Sequence, residues 1–347
     1  MSRFLLSLIL PVLPFLALAQ VSGGRTVYDF LHLPPSARVA ALGGHLLAAV
    51  DDDVTLAARN PALLNPAQHG VAAVSHAFHV GDINATYLGY GRYLEGPRLS
   101  VHAALQYVGY GDLTRRDLTG MALGTFTAND YALTVGASRQ VEERLTVGVN
   151  LKLINSQLDE FNSFGIATDL AALYQDTSRR FSISLVAQNF GRQLTKYDEE
   201  REPLPFELQI GLTKRLRYLP FQFSIIYRHL DRYDILYDDP DRQASQSIFI
   251  DEEEAERGAG AVFFDNFFRH FVFNGELFIG RKETLRVRAG YNHGLRKELT
   301  LTDYRSLAGY SFGFGIHISR FQLDFGRTTY HIGGGATQLS VSTRFGK

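Results

Sequence analysis

The chain contains no cysteine, which excludes disulfides, thiolate metal sites and a cysteine nucleophile. An exported protein without disulfides needs another source of stability, and a closed, hydrogen-bonded barrel supplies one. Long hydrophobic runs are missing too. Beyond the first nineteen residues no stretch of eighteen apolar residues occurs, which excludes a helical membrane protein. Charge of one sign is equally absent: the net value is −1, with no general signature of nucleic-acid binding. Proline is scarce at 11 residues, whereas 32 Gly, 25 Phe and 17 Tyr suit a strand-rich protein with close packing.

The first nineteen residues read as a secretory leader. Arg3 supplies the positive region, positions 4–16 the apolar stretch, and Ala17-Leu18-Ala19 the small-residue cleavage signal before Gln20. A retained helical anchor is disfavoured because the apolar run is short and contains Pro11 and Pro14.

From about Val71 onward the chain alternates. Tyr310, Phe312, Phe314, Ile316 and Ile318 fall on one face, with Ser311, Gly313, Gly315 and His317 on the other. Val147, Val149, Leu151 and Leu153 likewise alternate with Thr146, Gly148, Asn150 and Lys152, and the last strand repeats the pattern up to Phe345. Fourteen such segments are expected, joined by connections that are alternately long (111–129, 157–163, 191–205, 231–260, 296–307 and 331–335) and short (94–97, 140–143, 176–179, 217–220, 281–283 and 319–320). The first connection, at Val80-Gly81, is tight where a longer one is due. Short turns at one end and long loops at the other define an outer-membrane barrel, with the long loops outside the cell. The predicted fold is therefore all-β: a fourteen-stranded antiparallel transmembrane barrel over 71–347. Its lumen would be too wide for wall side chains alone to fill. Inward Lys152, Asp169, Glu276, Arg286, Arg288 and Asp324 are expected to form a lumen charge ladder.

Residues 20–70 do not alternate, and a segment of that length ahead of the first strand is best placed as an internal plug. Asp53 is a natural N-cap for a short helix over 54–59, and Pro61 should end it. Asp51-Asp52-Asp53 is read as capping and solvated rather than metal-binding, because adjacent carboxylates cannot all converge on one ion.

The plug carries a resemblance. Ser36-Ala37-Arg38, Leu42-Gly43-Gly44, the acidic run and Asn60-Pro61-Ala62 resemble the N-terminal hatch of the long-chain fatty-acid transporter superfamily. The string from Gly23 to Leu31, with Leu33-Pro34, is similar to the barrels of the type IX secretion system, the PorV/PorQ group. That resemblance implies a non-enzymatic membrane anchor for a surface partner: a PorZ-like subunit, with PorU-like or PorV-like proteins in the same assembly, and outer-membrane lipid or lipopolysaccharide nearby. It implies no cofactor. The runner-up is a transporter of hydrophobic small molecules such as long-chain fatty acids. A third reading is a simple adhesin or porin.

The connection 231–260 is the most distinctive. Asp238, Asp239, Asp251, Glu252, Glu253 and Glu254, around Phe249, are candidate contacts for a basic partner or for cations that bridge lipopolysaccharide. A merely solvated acidic loop accounts for the same charges. Enzyme motifs find no context. Gly309-Tyr310-Ser311-Phe312-Gly313 matches a nucleophile elbow but lies within the clearest alternating strand, and no HExxH or P-loop string occurs. Motif alone leaves a Ser–His barrel hydrolase open.

Overall fold

The structure, a computed structural model, describes residues 26–197, 200–235, 259–299, 307–331 and 334–345. The expected leader over 1–19 lies outside the described residues. Fourteen strands close into one antiparallel barrel: β1 (Val71–Phe78), β2 (Asn84–Leu94), β3 (Leu99–Arg116), β4 (Ala122–Glu142), β5 (Leu145–Leu158), β6 (Phe161–Asp176), β7 (Phe181–Thr195), β8 (Glu207–Arg215), β9 (Phe221–Tyr227), β10 (Phe271–Ile279), β11 (Leu285–Asn292), β12 (Tyr310–Ile318), β13 (Phe321–His331) and β14 (Gly334–Arg344). Each strand pairs with its sequence neighbours. Closure comes from β1 against β14, in a register that sets Val71 opposite Arg344 and Phe78 opposite Thr337. No sheet edge remains, so every strand has partners on both sides.

The alternation seen in the sequence separates outside from inside. Along β5, Val149 and Leu151 are exposed on the outer wall, while Asn150 and Lys152 are buried in the lumen. Phe312, Phe314, Leu339 and Val341 repeat this on β12 and β14. An apolar outer face on a closed barrel of this size is a lipid-facing wall, and the chain is a multi-pass outer-membrane barrel.

The ends differ as expected in sidedness but not in every length. In three segments expected as long connections, strand pairing continues almost to the turn. β3 and β4 continue as a hairpin past a bulge between Gly109 and Asp112, with Arg116 opposite Ala122. Leu158 faces Phe161 across the β5–β6 turn, and His331 faces Gly334 across the last one. Above the lipid, residues on both faces meet water and alternation lapses, but the backbone ladder continues without it. The connections over 196–206, 228–270 and 293–309 interrupt the sheet. Among the described residues they carry α2 (Ala259–Arg269) and α3 (His293–Glu298).

Ahead of β1, a short helix α1 (Ala37–Ala41) and a series of 3-10 turns pack within the barrel. Asp53 caps the turn Val54–Ala58, its carboxylate accepting from the Thr55 N–H at 3.0 Å. Pro61 does not simply end that turn. It opens a further one, Pro61–Leu63, capped by Asn60, because proline suits the first position of a helical turn.

Candidate functional site

The site is the contact between the N-terminal segment and the inner wall. The segment runs down the lumen. At the long-connection end, the Val27 N–H donates to the Pro203 carbonyl at 3.0 Å, and the Tyr28 and Ser163 hydroxyls lie 2.5 Å apart. At the short-turn end, Ser138 donates to the Leu64 carbonyl at 2.7 Å, and the Phe345 N–H donates to the Gly70 carbonyl at 2.7 Å.

Between those ends, Ser36 caps α1 by accepting from the Val39 N–H, and the Thr55 hydroxyl donates to Ser36 at 2.9 Å. The Ala37 N–H donates to Ser340 at 2.7 Å, and Thr328 donates to the Ala40 carbonyl at 3.0 Å, which fixes α1 against β13 and β14. Arg38, fully buried, then meets the wall. Its Nε and Nη2 donate to the two carboxylate oxygens of Glu276 at 3.0 and 2.8 Å. Asp51 lies 2.7 Å and Asp53 3.3 Å from the same guanidinium. Glu276 also accepts from Arg288 at 2.8 Å, and Arg288 reaches Asp324 at 2.5 Å. Two cations and four carboxylates form one chain of charge-assisted bonds, the arrangement that makes buried charge tolerable.

A second cluster holds the next turn. Arg59 donates to the His32 carbonyl, and Gln188 donates to the Arg59 carbonyl at 2.5 Å. Asn150 donates to the Ala57 carbonyl at 2.9 Å and to Asp169 at 3.0 Å, and Lys152 pairs with Asp169 at 2.8 Å. Asn60 accepts from the Ala62 N–H and donates to the Leu47 carbonyl at 2.6 Å. His45 is buried in the same segment. Burial first, then the positive charges of Arg228 and Arg59, hold its imidazole well below the ordinary histidine value, against the pull of Glu207.

The wall is shaped to this segment by glycine. A side chain at Gly148 would sit 2.4 Å from Pro61, and one at Gly290 2.3 Å from the Gly43 nitrogen. At Gly326 it would meet the Ala37 carbonyl oxygen, at Gly313 the Ala41 Cβ at 2.6 Å, and at Gly211 the Leu47 Cβ at 2.7 Å. Gly91 on β2 faces Gln68 and Val54 in the same way. These inward glycines sit on β2, β5, β8, β11, β12 and β13, so the segment's backbone touches the wall almost all the way round.

All nine motif residues expected in the plug fall in this contact zone. Leu42 lies in an apolar cluster with Leu46, Leu56 and Leu63. Gly43 and Gly44 take φ of +78° and +82°, the left-handed turn that reverses the chain after α1. Of the expected lumen charges, Lys152, Asp169, Glu276, Arg288 and Asp324 pair there, whereas Arg286 lies half-buried over the Phe278 ring. Asp51 and Asp53 are not simply solvated: both face Arg38, and Asp52 pairs with Arg344 at 3.3 Å. Sequence reasoning missed this because the partner is separated along the chain and joined only by the fold. It also missed α2, although Phe263, Phe264, Phe267 and Phe268 recur at helical spacing. Asp238, Asp239, Phe249, Asp251, Glu252, Glu253 and Glu254, the candidate partner contacts, lie outside the described residues.

Fold and wall together define an outer-membrane β-barrel with its N-terminal segment packed against the inside of the wall. No protein-family model matches the chain, and no curated protein sequence matches it. Solved structures do. The Pseudomonas putida toluene transporter TodX aligns over 89% of this chain and 96% of its own, with 9% identity and a TM-score of 0.50. The deltaS2 mutant of TodX, a monoaromatic hydrocarbon channel, aligns over 92% of this chain and 100% of its own, with 13% identity and a TM-score of 0.51. At such identity the likeness speaks for the fold.

Proposed function

We propose that this protein is a plugged outer-membrane anchor of the type IX secretion and attachment machinery, in the manner of PorQ, and holds a surface partner at its extracellular end. The observation that carries the reading is the fit between plug and wall. Residues 27–70 are tied down by buried ion pairs and by backbone contacts at wall glycines, so the lumen serves as a core rather than a conduit. The elaboration lies at the opposite surface, where a protruding β3–β4 hairpin and helices α2 and α3 stand at the extracellular end. The acidic stretch with Asp238, Asp239 and Asp251 to Glu254 adds a candidate surface for a basic partner or for cations bridging lipopolysaccharide. The partner expected is a PorZ-like subunit, with PorU-like and PorV-like proteins in the same complex.

Co-purification with the tagged barrel from native outer membranes tests this. Recovery of a PorZ-like surface protein is expected, and recovery of neither a PorZ-like nor a PorU-like protein would overturn the assignment.

A second reading is transport of hydrophobic molecules. It draws on the fold shared with TodX and on an apolar depression of about 560 Å³ in the outer wall, where Ala137, Ala172 and Ala187 lie among Val147, Val149 and Leu170. Barrel-dependent uptake of long-chain fatty acids into liposomes would favour that reading over the first.

A further inference from the structure

The outer wall ends, on its extracellular side, in a row of aromatic rings. Tyr227 on β9 lies opposite Phe271 on β10, their rings 5.1 Å apart and edge to face. Phe271 stacks on Phe273 at 5.7 Å, Phe273 is paired with Tyr291 on β11, and Tyr291 lies 4.9 Å from Tyr310 on β12. All five alternate with lumen-facing neighbours (Ile226, Val272, Asn292 and Ser311 are buried), so they point away from the lumen. Aromatic rings at this level form the girdle of a membrane barrel, an apolar ring body in the acyl region with a polar edge at the headgroups.

Helix α2 continues that row. Phe267 packs on Phe271 at 5.1 Å and on Tyr227 at 6.3 Å, and Phe268 meets Phe271 at 6.2 Å. One turn earlier, Phe263 and Phe264 touch each other at 5.7 Å and stand 53% and 61% exposed. The other side of the helix is polar and fastened to the protein. Asn266, buried, donates to the Tyr233 carbonyl at 2.8 Å, and Asp265 pairs with Lys297 on α3 at 2.8 Å and with Arg269 at 3.0 Å. Phenylalanines on one face and fixed charges on the other give the helix a pronounced amphipathic character.

We infer that α2 is an interfacial helix of the outer leaflet: its phenylalanine face lies among lipid acyl chains as an outward extension of the aromatic girdle. Continuity is the argument for lipid over a protein partner. Phe267 and Phe268 are in contact with Phe271 and, through it, with Phe273 on the membrane-facing wall. Phe264 precedes Phe268 by one turn on the same side of the helix, so the surface α2 presents continues the surface the barrel presents to lipid. The paired Asp265, Arg269 and Lys297 then sit at headgroup level, where a satisfied charge cluster can remain hydrated. The inference needs only the barrel and its membrane, and it stands apart from the choice of surface partner.

The chain has no tryptophan, so one introduced indole is a sole reporter. Four single-tryptophan variants of the full-length barrel would be reconstituted in phosphatidylcholine vesicles containing acyl-brominated phosphatidylcholine. Phe273→Trp reports the lipid-facing wall, and Leu118→Trp, at the fully exposed tip of the β3–β4 hairpin, reports water. Phe264→Trp is expected to lose its emission to bromolipid as Phe273→Trp does, and to be shielded from aqueous iodide. If Phe264→Trp behaves like Leu118→Trp, keeping its emission in bromolipid and losing it to iodide, the inference is overturned and the aromatic face is free for a protein. A second position, Phe268→Trp, should give the same lipid-quenched result. Each variant is first checked for a folded barrel by its heat-modifiable migration.

Discussion

Arg38 is the residue on which the lumen contact turns. It is wholly buried, yet it faces carboxylates from two sources: Glu276 on the wall, and Asp51 and Asp53 in its own segment. Glu276 would keep Arg288 if Arg38 were removed, but Asp51 and Asp53 would lose their only described cation. Removing one partner of a buried pair typically costs about 3–5 kcal/mol, because the remaining charge stays desolvated without its counterion. The cost falls on docking of the segment, since the barrel's own ladder does not pass through Arg38. Arg38→Ala is therefore expected to leave strand pairing intact while exposing residues 27–70 to protease. Arg38→Lys should fall between, because an ammonium keeps the charge but cannot reproduce the two-pronged contact with Glu276. Proteolysis of folded, reconstituted barrels checks both variants. Unchanged protection of the segment in Arg38→Ala would show that the ion pairs do not hold it.

At the scale of elements, wall and segment interlock through glycines that look ordinary in a strand pattern. Alanine at Gly290 would place its Cβ 2.3 Å from the Gly43 nitrogen, a backbone atom that cannot step aside without moving the turn after α1. Overpacking of that kind typically costs about 1–3 kcal/mol. Gly290→Ala is expected to fold as a barrel with a loosened segment, seen as faster amide exchange over residues 37–47 than over the strands. Alanine at Gly96, where nothing lies near, should leave exchange in the segment unchanged. How much of this was legible follows from what each signal records. Period-two alternation reports which face meets lipid, so strand number, sidedness and inward polarity could be read from it. It says nothing where both faces meet water. The extended β3–β4 hairpin therefore reads as loop in the sequence, although its ladder runs to Arg116 and Ala122. Gly148, Gly211, Gly290 and Gly313 were visible as inward and small, but their purpose depends on a backbone more than eighty residues away in the chain. The same holds for Asp51 and Asp53, whose pattern suits a cap and whose partner Arg38 is reached only through the turn at Gly43 and Gly44.

For the whole molecule, the consequence is a segment whose release is linked to protons. His45 is buried with the segment, and its imidazole is held well below its ordinary value by burial and by Arg228 and Arg59, with Glu207 opposing. His32, also in the segment, is pushed down to about 3, again first by burial, with Glu207 opposing and Arg59, Arg228 and Lys152 adding to the effect. In a released segment both imidazoles return to the ordinary histidine pKa of about 6.5. Above that pH both states are neutral and release does not depend on protons. Below it the released segment binds protons that the docked one refuses, so docking weakens as pH falls from about 6.5 toward about 3. Each histidine contributes up to about a tenfold change in the release equilibrium per pH unit within that window. Protease accessibility of residues 27–70 should therefore rise between about pH 6.5 and about pH 5, before most carboxylates titrate, and stay flat between about pH 8 and about pH 7. His45→Gln, which cannot be protonated, should reduce the steepness without abolishing it, because His32 remains. A pH profile that is flat below 6.5 would mean that the docked histidines titrate normally and that the lumen is wetter than its packing implies.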